Sequence, residues 1–576
     1  MEKNFKRWPA GVARNLDYPE VPVFQILRSA ALQWPERNAI VFGGMEVTYR
    51  ELDLLSDRFA SALSGLGVAK GDRVALHLVN SPQFAIAYYG LLKAGAVFVP
   101  VSPLLSEREL VFQLNDSGSE TFIGLDLFWA ASSRVLPETG VKRTIEVSLA
   151  DCYPPISAPV KALSKGVFDE GVIDFTSLLS GHPAEPPEIS LDVKEDLAHI
   201  SYTGGTTGTP KGIMVTHYNA LVNSCQLSYW FSGGQITYKD GVIGLELEEG
   251  DKGENHPFRR GLEMSLVVPP WFHAMGAFGF LNMQLMAGNT LVVFPRFDPE
   301  EFLRAIPKYR ATCFGGAPQL FVPMVDHPLY PEIDMSEIRL VASGGAPIPF
   351  NLMEKLLEKF PGVICEAYGL SEATAIVSIS PPERGALKVG SVGLPVADTE
   401  VKIVDPEDYD REMAAGEAGE VCVRGPQLMK GFWNNPEETA VMLKEDGWLL
   451  TGDIGKFDED GYLYIVDRKK DMLIYKGYNV YPRDLEEVLN DHPSVAQSAV
   501  VGKKDERKGE IPIAFVQLIP GAEVTEEELL EYANSNLAAY KKIRLLKVVE
   551  AVPASEAGKV LRRELRDLAQ SMEIRE

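Results

Sequence analysis

The chain has 576 residues, 45% of them hydrophobic, so it is long enough for about three or four domain-sized units and too apolar to be disordered. Its 56 basic and 81 acidic side chains give a formal net charge of −25, which argues against nucleic acid and anionic membranes as general partners. Five cysteines without a Cys-x-x-Cys pair disfavour a disulfide scaffold or a zinc module and favour a reducing, cytoplasmic location. The first 16 residues lack an apolar core, so we expect no signal peptide.

Two mostly apolar stretches, residues 84–105 and 264–286, resemble membrane spans at first sight. Lys93 interrupts the first and Pro269 and Pro270 interrupt the second, so neither supplies about 20 uninterrupted apolar residues. We therefore predict buried helix and strand segments of a large core, and no transmembrane segment.

The first part of the chain alternates strand and helix patterns. A strand is predicted at residues 73–78, a helix from the Ser81-Pro82 cap to Gly95, and a buried strand at residues 96–99. Strand, helix and strand at this spacing indicate parallel βαβ units. The pattern recurs as a predicted strand, helix and strand at residues 290–294, 300–309 and 338–342.

The last hundred residues are predicted to form a smaller unit. A dense charge run at residues 467–471 follows a strand-like segment and marks its start. Beyond this run the patterns predict a helix, two strands and a second helix at residues 483–489, 496–501, 511–518 and from Thr525, which has capping-box spacing with Glu528. We expect this unit to move as a whole about a hinge near Lys470.

The most informative segment is the loop at residues 203–212, Thr-Gly-Gly-Thr-Thr-Gly-Thr-Pro-Lys-Gly, which follows a strand-like run at residues 197–200. Its glycines let backbone N–H groups converge on an anion, its threonines add hydroxyl donors and Lys211 adds a positive charge, so it predicts a polyphosphate site. A Walker A loop needs Gly-Lys-Ser/Thr, whereas here Pro210 precedes the lysine and Gly212 follows it. An ordinary P-loop kinase or GTPase is therefore disfavoured.

This loop resembles the phosphate-binding signature of the AMP-forming acyl-CoA synthetases, the adenylate-forming superfamily. A glycine, Gly204 or Gly205 according to register, stands where the family has a serine. The resemblance implies a catalytic role for Lys211. It assigns ATP and AMP contacts to Thr203, Gly204, Gly205, Thr206, Thr207 and Gly208.

Residues 366–372, Glu-Ala-Tyr-Gly-Leu-Ser-Glu, resemble the family's Tyr-Gly-x-Thr-Glu motif. The resemblance implies that Tyr368 packs on adenine, that Ser371 meets the α-phosphate and that Glu372 binds Mg²⁺. A carboxylate suits this hard cation. A Ser-Gly-Gly-Ala-Pro segment resembles the adenine-side loop. The adenine side of the site is thus assigned Gly345, Ala346, Pro347, Glu366 and Ala367.

Three further motifs follow in the family's order. The segment that ends at Asp453 resembles the motif whose aspartate accepts hydrogen bonds from the ribose hydroxyls. The charge run resembles the hinge motif, which implies that Arg468 contacts ribose or phosphate and that Lys470 is the pivot. Residues 553–559, Pro-Ala-Ser-Glu-Ala-Gly-Lys, resemble the C-terminal motif that contains the catalytic lysine, here Lys559.

The resemblance covers nearly the whole chain. It implies an α/β fold with a large N-terminal domain of βαβ sheets and a barrel-like subdomain at residues 1–467, a hinge at 468–470, and a small mobile α+β lid at 471–576. The implied activity is ATP-dependent ligation of a carboxylic acid to coenzyme A through an acyl-adenylate. The expected ligands are ATP, Mg²⁺, coenzyme A and the acid, with no nucleic acid partner, and a homodimer stays open.

The residues assigned to the acyl and coenzyme A side are small, apart from one histidine: His273, Gly315, Gly344, Gly369 and Gly477. Small walls leave room for an extended chain, and Ile474 stands where some aromatic-acid members have lysine. Both features favour a medium- or long-chain fatty acid. An aryl or 4-coumarate-type CoA ligase and an acyl-AMP ligase with another acceptor stay open. A catalytically silent regulator is disfavoured because Lys559 and Glu372 are both present.

Overall fold

The computed structural model describes residues 8–9, 11–149, 171–203, 210–247, 253–254, 256–476, 478–505, 508–554 and 560–572. In this part of the chain, four sheets of five to nine strands and one two-stranded hairpin, Gln235–Lys239 with Val242–Glu246, organise the fold. The predicted α/β class is confirmed. Among these residues no helix has the length and apolarity that crossing a membrane requires.

An eight-stranded sheet contains the strand that leads into the predicted phosphate loop. In spatial order its strands are Gly431–Phe432, Lys211–Thr216, Leu197–Thr203, Val97–Pro100, Arg73–His77, Thr121–Leu125, Arg143–Val147 and Ile173–Asp174. The strands that begin at Val97, Arg73, Thr121 and Arg143 are parallel neighbours, as the βαβ pattern predicts.

A nine-stranded sheet is the second large sheet of the N-terminal part of the chain. Its order is Leu394–Pro395, Ile376–Ile379, Val363–Gly369, Leu340–Gly344, Cys313–Gly316, Met264–Val267, Thr290–Val293, Asn38–Phe42 and Met45–Thr48. From Val363–Gly369 to Asn38–Phe42 the neighbours are parallel. The strand predicted at 338–342 lies two residues further along, because Gly344 still pairs with Ala367 in the ladder.

The remaining sheets follow in chain order. A five-stranded antiparallel sheet, where the barrel-like subdomain is expected, has the order Asp408–Glu412, Glu400–Asp405, Gly419–Arg424, Leu449–Phe457 and Leu463–Arg468. The C-terminal sheet consists of Leu473–Tyr475, Tyr478–Val480, Val495–Asp505, Gly509–Leu518 and Leu545–Val549. The predicted capping box of Thr525 and Glu528 begins the helix Glu526–Ser535.

The other α-helices of the described chain flank these sheets: Gln25–Gln33, Tyr49–Gly65, Pro82–Lys93, Glu107–Ser117, Trp129–Val135, Phe175–Gly181, His217–Ser232, Met283–Met286, Pro299–Tyr309, Pro318–Val325, Phe350–Lys359, Pro436–Met442, Pro482–Asn490 and Arg562–Ser571. Short 3₁₀ turns occur at Asp126–Phe128, Leu136–Glu138, Tyr330–Glu332 and Ser371–Ala373.

The main hydrophobic core contains side chains of both large sheets and of the helices between them. Pro82–Lys93 is buried along its whole length, and with Val97–Pro100 it accounts for the first apolar stretch as predicted. Lys93 lies in this core with its Nζ 2.6 Å from Oδ1 of both Asp53 and Asp57. Two carboxylates at this distance compensate the buried ammonium.

The second apolar stretch, residues 264–286, contains a strand and then an unpredicted π-helix. Met264–Val267 is the strand, and Met275–Asn282 is π-helical before the α-helix Met283–Met286. An apolar run that is buried on all sides has no periodicity from which a π-helix could be distinguished. π-Helices are rare in proteins, and those that do occur often lie at functional sites.

A network that we call the arginine clamp, formed by Asp471, Glu486, Arg562 and Arg566, lies in the C-terminal unit. Arg562 Nη1 is 2.5 Å from Glu486 Oε1, and its Nε is 3.6 Å from Asp471 Oδ2. Arg566 pairs with the same aspartate. Because Asp471 directly follows Lys470, the clamp ties the helix Arg562–Ser571 to the predicted hinge.

Candidate active site

The predicted adenine-side residues lie at one edge of the nine-stranded sheet. Three neighbouring parallel strands end there, and their register pairs Gly315 with Ala342, Ser343 with Glu366, and Gly344 with Ala367. The carboxyl edge of parallel strands is the usual ligand position in α/β sheets. The topology thus brings together motifs that are separated by about 50 residues of sequence.

Tyr368, Asp453 and Arg468 form one hydrogen-bonded group, although they come from three strands. The buried Tyr368 hydroxyl donates to Asp453 Oδ2 at 2.6 Å, and Arg468 Nε lies 2.8 Å from Asp453 Oδ1. Burial and the adjacent Asp453 raise the pKa of Tyr368 well above its usual value, so the tyrosine keeps its proton and remains a donor. Three predicted nucleotide-binding residues are thereby brought together.

Glu366 is a buried carboxyl next to this group. Its Oε1 accepts a hydrogen bond from Ile348 N at 3.2 Å, just after the loop that contains Gly345, Ala346 and Pro347. Burial raises the pKa of Glu366 to about 7. Within the described part of the chain, Glu366 Oε2 and the neighbouring Ser343 Oγ are buried without a hydrogen-bond partner. Such unpaired atoms are uncommon in folded proteins and mark this position as unusual.

Ser371 and Glu372 lie on the short 3₁₀ turn that follows Gly369, and both are half-buried. The turn ends at Thr374 with φ 64° and ψ −60°, and Ala375 N donates to Ala373 O at 2.7 Å. A β-branched residue in this conformation is strained. Thr374 Oγ1 donates to Gln427 O at 2.7 Å, which helps to hold the turn in place.

Residues 427–433, which we call the bridging segment, connect the 3₁₀ turn to the strand after the phosphate loop. Met429 N donates to Glu372 O at 2.8 Å. Further along, Lys430 N donates to Met214 O at 2.8 Å and Trp433 N donates to Gly212 O at 2.7 Å. One segment therefore contacts the backbone of the predicted metal ligand Glu372 and of Gly212, the residue after the predicted phosphate lysine.

Lys211 begins the strand Lys211–Thr216 and pairs in register with Thr203, at the other side of the loop. Its ammonium forms an ion pair with Glu438, at the start of the helix Pro436–Met442. The Nζ also lies 5.5 Å from the centroid of the Phe432 ring. The predicted phosphate-binding cation thus has an acidic partner that the sequence did not indicate.

The π-helix Met275–Asn282 faces the glycines predicted on the acyl side. A Cβ added to Gly344 would lie 3.6 Å from Met275 Sδ, whereas one added to Gly315 would lie 2.8 Å from Phe280 Cζ. His273 is half-buried just before this helix, and its Nδ1 accepts a hydrogen bond from Met275 N at 3.3 Å. Gly369 would place a Cβ 1.6 Å from Ala375 O, so this glycine is required by the turn itself.

The hinge and the C-terminal motif are described in part. Lys470 lies in the turn between the strands Leu463–Arg468 and Leu473–Tyr475. Ala554 and Val560 form an antiparallel bridge, and Leu561 N donates to Pro553 O at 2.8 Å. Several predicted site residues lie outside the described residues: Gly204, Gly205, Thr206, Thr207, Gly208, Gly477 and Lys559.

Comparison with known proteins decides the family. Residues 27–433 match the family model of the AMP-binding enzyme, and residues 484–559 match the model of the AMP-binding enzyme C-terminal domain. The chain belongs to the AMP-binding enzyme family. The resemblance to the adenylate-forming superfamily that the motifs indicated is therefore confirmed.

This AMP-binding enzyme is similar to two ligases and to one solved structure over nearly its whole length. The chain is 36% identical over 569 residues to a long-chain-fatty-acid–CoA ligase of Bacillus subtilis (strain 168), covering 97% of this chain and 96% of the relative. It is 32% identical over 537 residues to 4-coumarate–CoA ligase 2 of Petroselinum crispum, covering 92% and 91%. The crystal structure of ATP-bound MatB from Rhodopseudomonas palustris is 26% identical, with a TM-score of 0.81 and coverage of 96% and 99%.

In this AMP-binding enzyme, sequence reasoning missed Glu438, Thr374 and the bridging segment. Asn435 and Pro436 are a recognisable helix start, but nothing in the sequence points from that helix to Lys211. Thr374, which has a positive φ, donates a hydrogen bond from its hydroxyl to Gln427 O, 53 residues away. Long-range contacts of this kind have no local signal.

Proposed function

We propose that this chain is an AMP-forming acid–coenzyme A ligase whose acid is a medium- or long-chain fatty acid. The observation that supports this most directly is the group of Tyr368, Asp453 and Arg468 at the carboxyl edge of the parallel strands. It provides an aromatic surface for a base, a carboxylate for two ribose hydroxyls and a cation for a phosphate. Because the chain belongs to the AMP-binding enzyme family, we infer that the ligand of this group is an adenine nucleotide.

In the first half-reaction the acid carboxylate attacks the α-phosphorus of ATP and pyrophosphate leaves. A carboxyl group has an ordinary pKa of about 4, so it is already ionised at neutral pH and needs no general base. The obstacle is repulsion between the carboxylate and the polyphosphate. Lys211 and Lys559 offset this repulsion and stabilise charge that develops in the transition state.

Mg²⁺ is the metal that this reaction implies. A half-buried carboxylate, Glu372, next to the Ser371 hydroxyl suits a hard cation that keeps several waters and binds substrate phosphates. The charge of Asp453, and to a lesser degree Tyr368 and Glu372, raises the pKa of Arg468, so Glu372 is near enough to this group to interact with it. When bound, the metal supplies charge neutralisation for the phosphates.

In the second half-reaction the coenzyme A thiolate attacks the acyl carbonyl and AMP leaves. A thiol with a pKa of about 8.5 is partly ionised at neutral pH, and the mixed anhydride is reactive, so positioning is the main requirement. We propose that the unit after Lys470 rotates between the two steps. Lys559 then withdraws, and Gly477 allows the pantetheine arm to pass.

The acid is inferred from the small residues opposite the π-helix and from the relatives. A Cβ at Gly344 would have its nearest neighbours, Ala367 O and Met275 Sδ, at 3.5–3.6 Å, whereas Gly315 packs closely against Phe280 and Ala342. Met275 and Phe280 are apolar side chains that suit an alkyl chain. The fatty-acid ligase of Bacillus subtilis is similar over nearly the full chain. Each buried CH₂ contributes about 0.8 kcal/mol, or about fourfold in kcat/KM, until the chain fills the pocket.

We expect pyrophosphate release to rise with alkyl chain length across a panel of straight-chain acids from six to eighteen carbons (about 0.8 kcal/mol per CH₂ up to a plateau). Pyrophosphate release and coenzyme A consumption are both measured for each acid. Benzoate, cinnamate and 4-coumarate are included in the same series. A preference for the aromatic acids would replace the fatty acid by the substrate named for the Petroselinum crispum relative. Adenylate formation without thioester would instead indicate another acceptor.

Gly344→Ala should change acid selectivity without disturbing the fold. The added Cβ has Ala367 O at 3.5 Å and Met275 Sδ at 3.6 Å as its nearest neighbours, which is ordinary contact. We expect the preferred chain to become shorter, with kcat/KM for the longest acids reduced about fourfold, because one methyl group is worth about 0.8 kcal/mol. The KM for ATP should stay close to the wild-type value. The measurement is the same panel of acids with both kinetic constants.

Gly315→Ala is the matched comparison, because its Cβ would lie 2.3 Å from Ala342 O. This backbone contact cannot be relieved by a rotamer change, so we expect a lower melting temperature as well as lower activity. Identical acid profiles for wild type and Gly344→Ala would remove Gly344 from the acyl pocket.

A further inference from the structure

The predicted phosphate lysine already has an anionic partner. Lys211 forms its ion pair with Glu438, and the two side chains are 38% and 34% exposed. The pair is therefore part-exposed, and water and a ligand can reach both groups. Any phosphate that binds Lys211 must compete with this carboxylate.

Glu438 is held in position by the helix to which it belongs. Asn435 caps the helix by accepting a hydrogen bond from Glu438 N at 3.1 Å, and Pro436 occupies the first turn. Thr439 Oγ1 accepts from Phe432 N at 2.8 Å and donates to Asn435 O at 2.8 Å. Hydrogen bonds on both sides of Glu438 therefore hold its backbone in place.

The same helix is attached to the strand of Lys211. Gly431–Phe432 pairs antiparallel with the strand Lys211–Thr216, and Trp433 N donates to Gly212 O at 2.7 Å. The Trp433 indole donates to Asp116 O at 3.0 Å on the far side. The backbones that carry Lys211 and Glu438 are therefore joined directly, which sets the two side chains next to each other.

We propose that Glu438 is a positioning residue that acts through Lys211, as the counter-ion which the lysine exchanges for a phosphate group. In the empty site it neutralises the ammonium and holds the side chain towards the helix. A triphosphate with several negative charges displaces it, and after the chemical step the carboxylate competes with pyrophosphate for the lysine. Glu438 therefore weakens the binding of both anions and promotes pyrophosphate release. This inference rests on the proposed function of Lys211.

The test is Glu438→Gln, which keeps the size of the side chain and removes its charge. We expect ATP and pyrophosphate each to bind the acid-free enzyme about two- to fivefold more tightly, the range for a part-exposed ion pair. The single-turnover rate of adenylation at saturating ATP should stay unchanged. Binding is measured by calorimetry with MgATP and with magnesium pyrophosphate, and the gain should shrink as ionic strength rises.

Glu437→Gln is the matched control, because Glu437 precedes Glu438 in the same first turn and is exposed. We expect its affinities to equal those of wild type. The double variant Lys211→Met with Glu438→Gln should bind both anions as Lys211→Met alone does, since the carboxylate acts only through the lysine.

Weaker binding of MgATP by Glu438→Gln would overturn the inference and would indicate that the carboxylate supports the nucleotide or its metal directly. An unchanged affinity, or an equal gain in Glu437→Gln, would overturn it as well. These results would leave the proposed function intact if Lys211→Met still lost affinity for ATP. Unchanged ATP affinity in Lys211→Met would instead contradict the role of Lys211 itself.

Discussion

Lys559→Ala is expected to slow acyl-adenylate formation by about 10²- to 10³-fold, the usual cost of removing one group that stabilises a charged transition state. Thioester formation from supplied acyl-adenylate should stay close to the wild-type rate. The reason is that repulsion between the carboxylate and the polyphosphate arises only in the first step, whereas the second step expels a single phosphate ester. Lys559 is therefore expected to act in one half-reaction.

The two halves are measured separately. Pyrophosphate release from ATP and a fatty acid reports the first, and thioester formation from synthetic acyl-adenylate and coenzyme A reports the second. Lys504→Ala is the control, because Lys504 is an exposed lysine on a strand of the C-terminal sheet. Equal losses in both halves would contradict the assigned role and would point to misfolding of the C-terminal unit or to a second function of the lysine.

Asp453→Asn is expected to raise the KM for ATP by about 10- to 100-fold, since hydrogen bonds that involve a charged partner are worth about 1.5–3 kcal/mol. Asp453 is buried and accepts from both Tyr368 and Arg468. The amide cannot pair with the guanidinium and still accept from the ribose hydroxyls. The loss should therefore appear for ATP and AMP, and the KM for the acid should change little.

Calorimetry of AMP binding, together with the kinetic constants, tests this prediction. Asp410→Asn provides the comparison, because Asp410 is exposed on an edge strand of the same five-stranded sheet. A normal KM for ATP in Asp453→Asn would exclude the carboxylate from the ribose site. A fall in melting temperature with unchanged nucleotide affinity would show that Asp453 serves only to join its two partners.

Local patterns predicted most regular elements because their signals are short-range. The Ser81-Pro82 start, the Thr525 capping box and the strand that leads into the phosphate loop occur where the sequence predicts them. The strand Lys211–Thr216 after the loop was not predicted. The motifs also predicted that Tyr368, Asp453 and Arg468 belong to one site, which the structure brings together. These predictions depend on hydrogen bonds within a few residues or on motif order.

Contacts between distant segments that carry no motif could not be predicted. The π-helix at Met275–Asn282 depends on packing around a uniformly apolar run, so it has no periodic signal. The strained turn at Thr374 and the ion pair of Lys211 with Glu438 join residues 53 and 227 positions apart. The roles of Lys559 and of the glycines at 204, 205 and 208 remain predictions.

The arginine clamp has a mechanical consequence for the proposed rotation. Two guanidinium groups on the helix Arg562–Ser571 hold Asp471, the residue next to the proposed pivot, and one of them also holds Glu486. A rotation at Lys470 is therefore expected to move Asp471 and the helix Arg562–Ser571 together. Asp471→Asn weakens these charge pairs. We therefore expect it to make the binding of the coenzyme A thiol less tightly coupled to the withdrawal of Lys559.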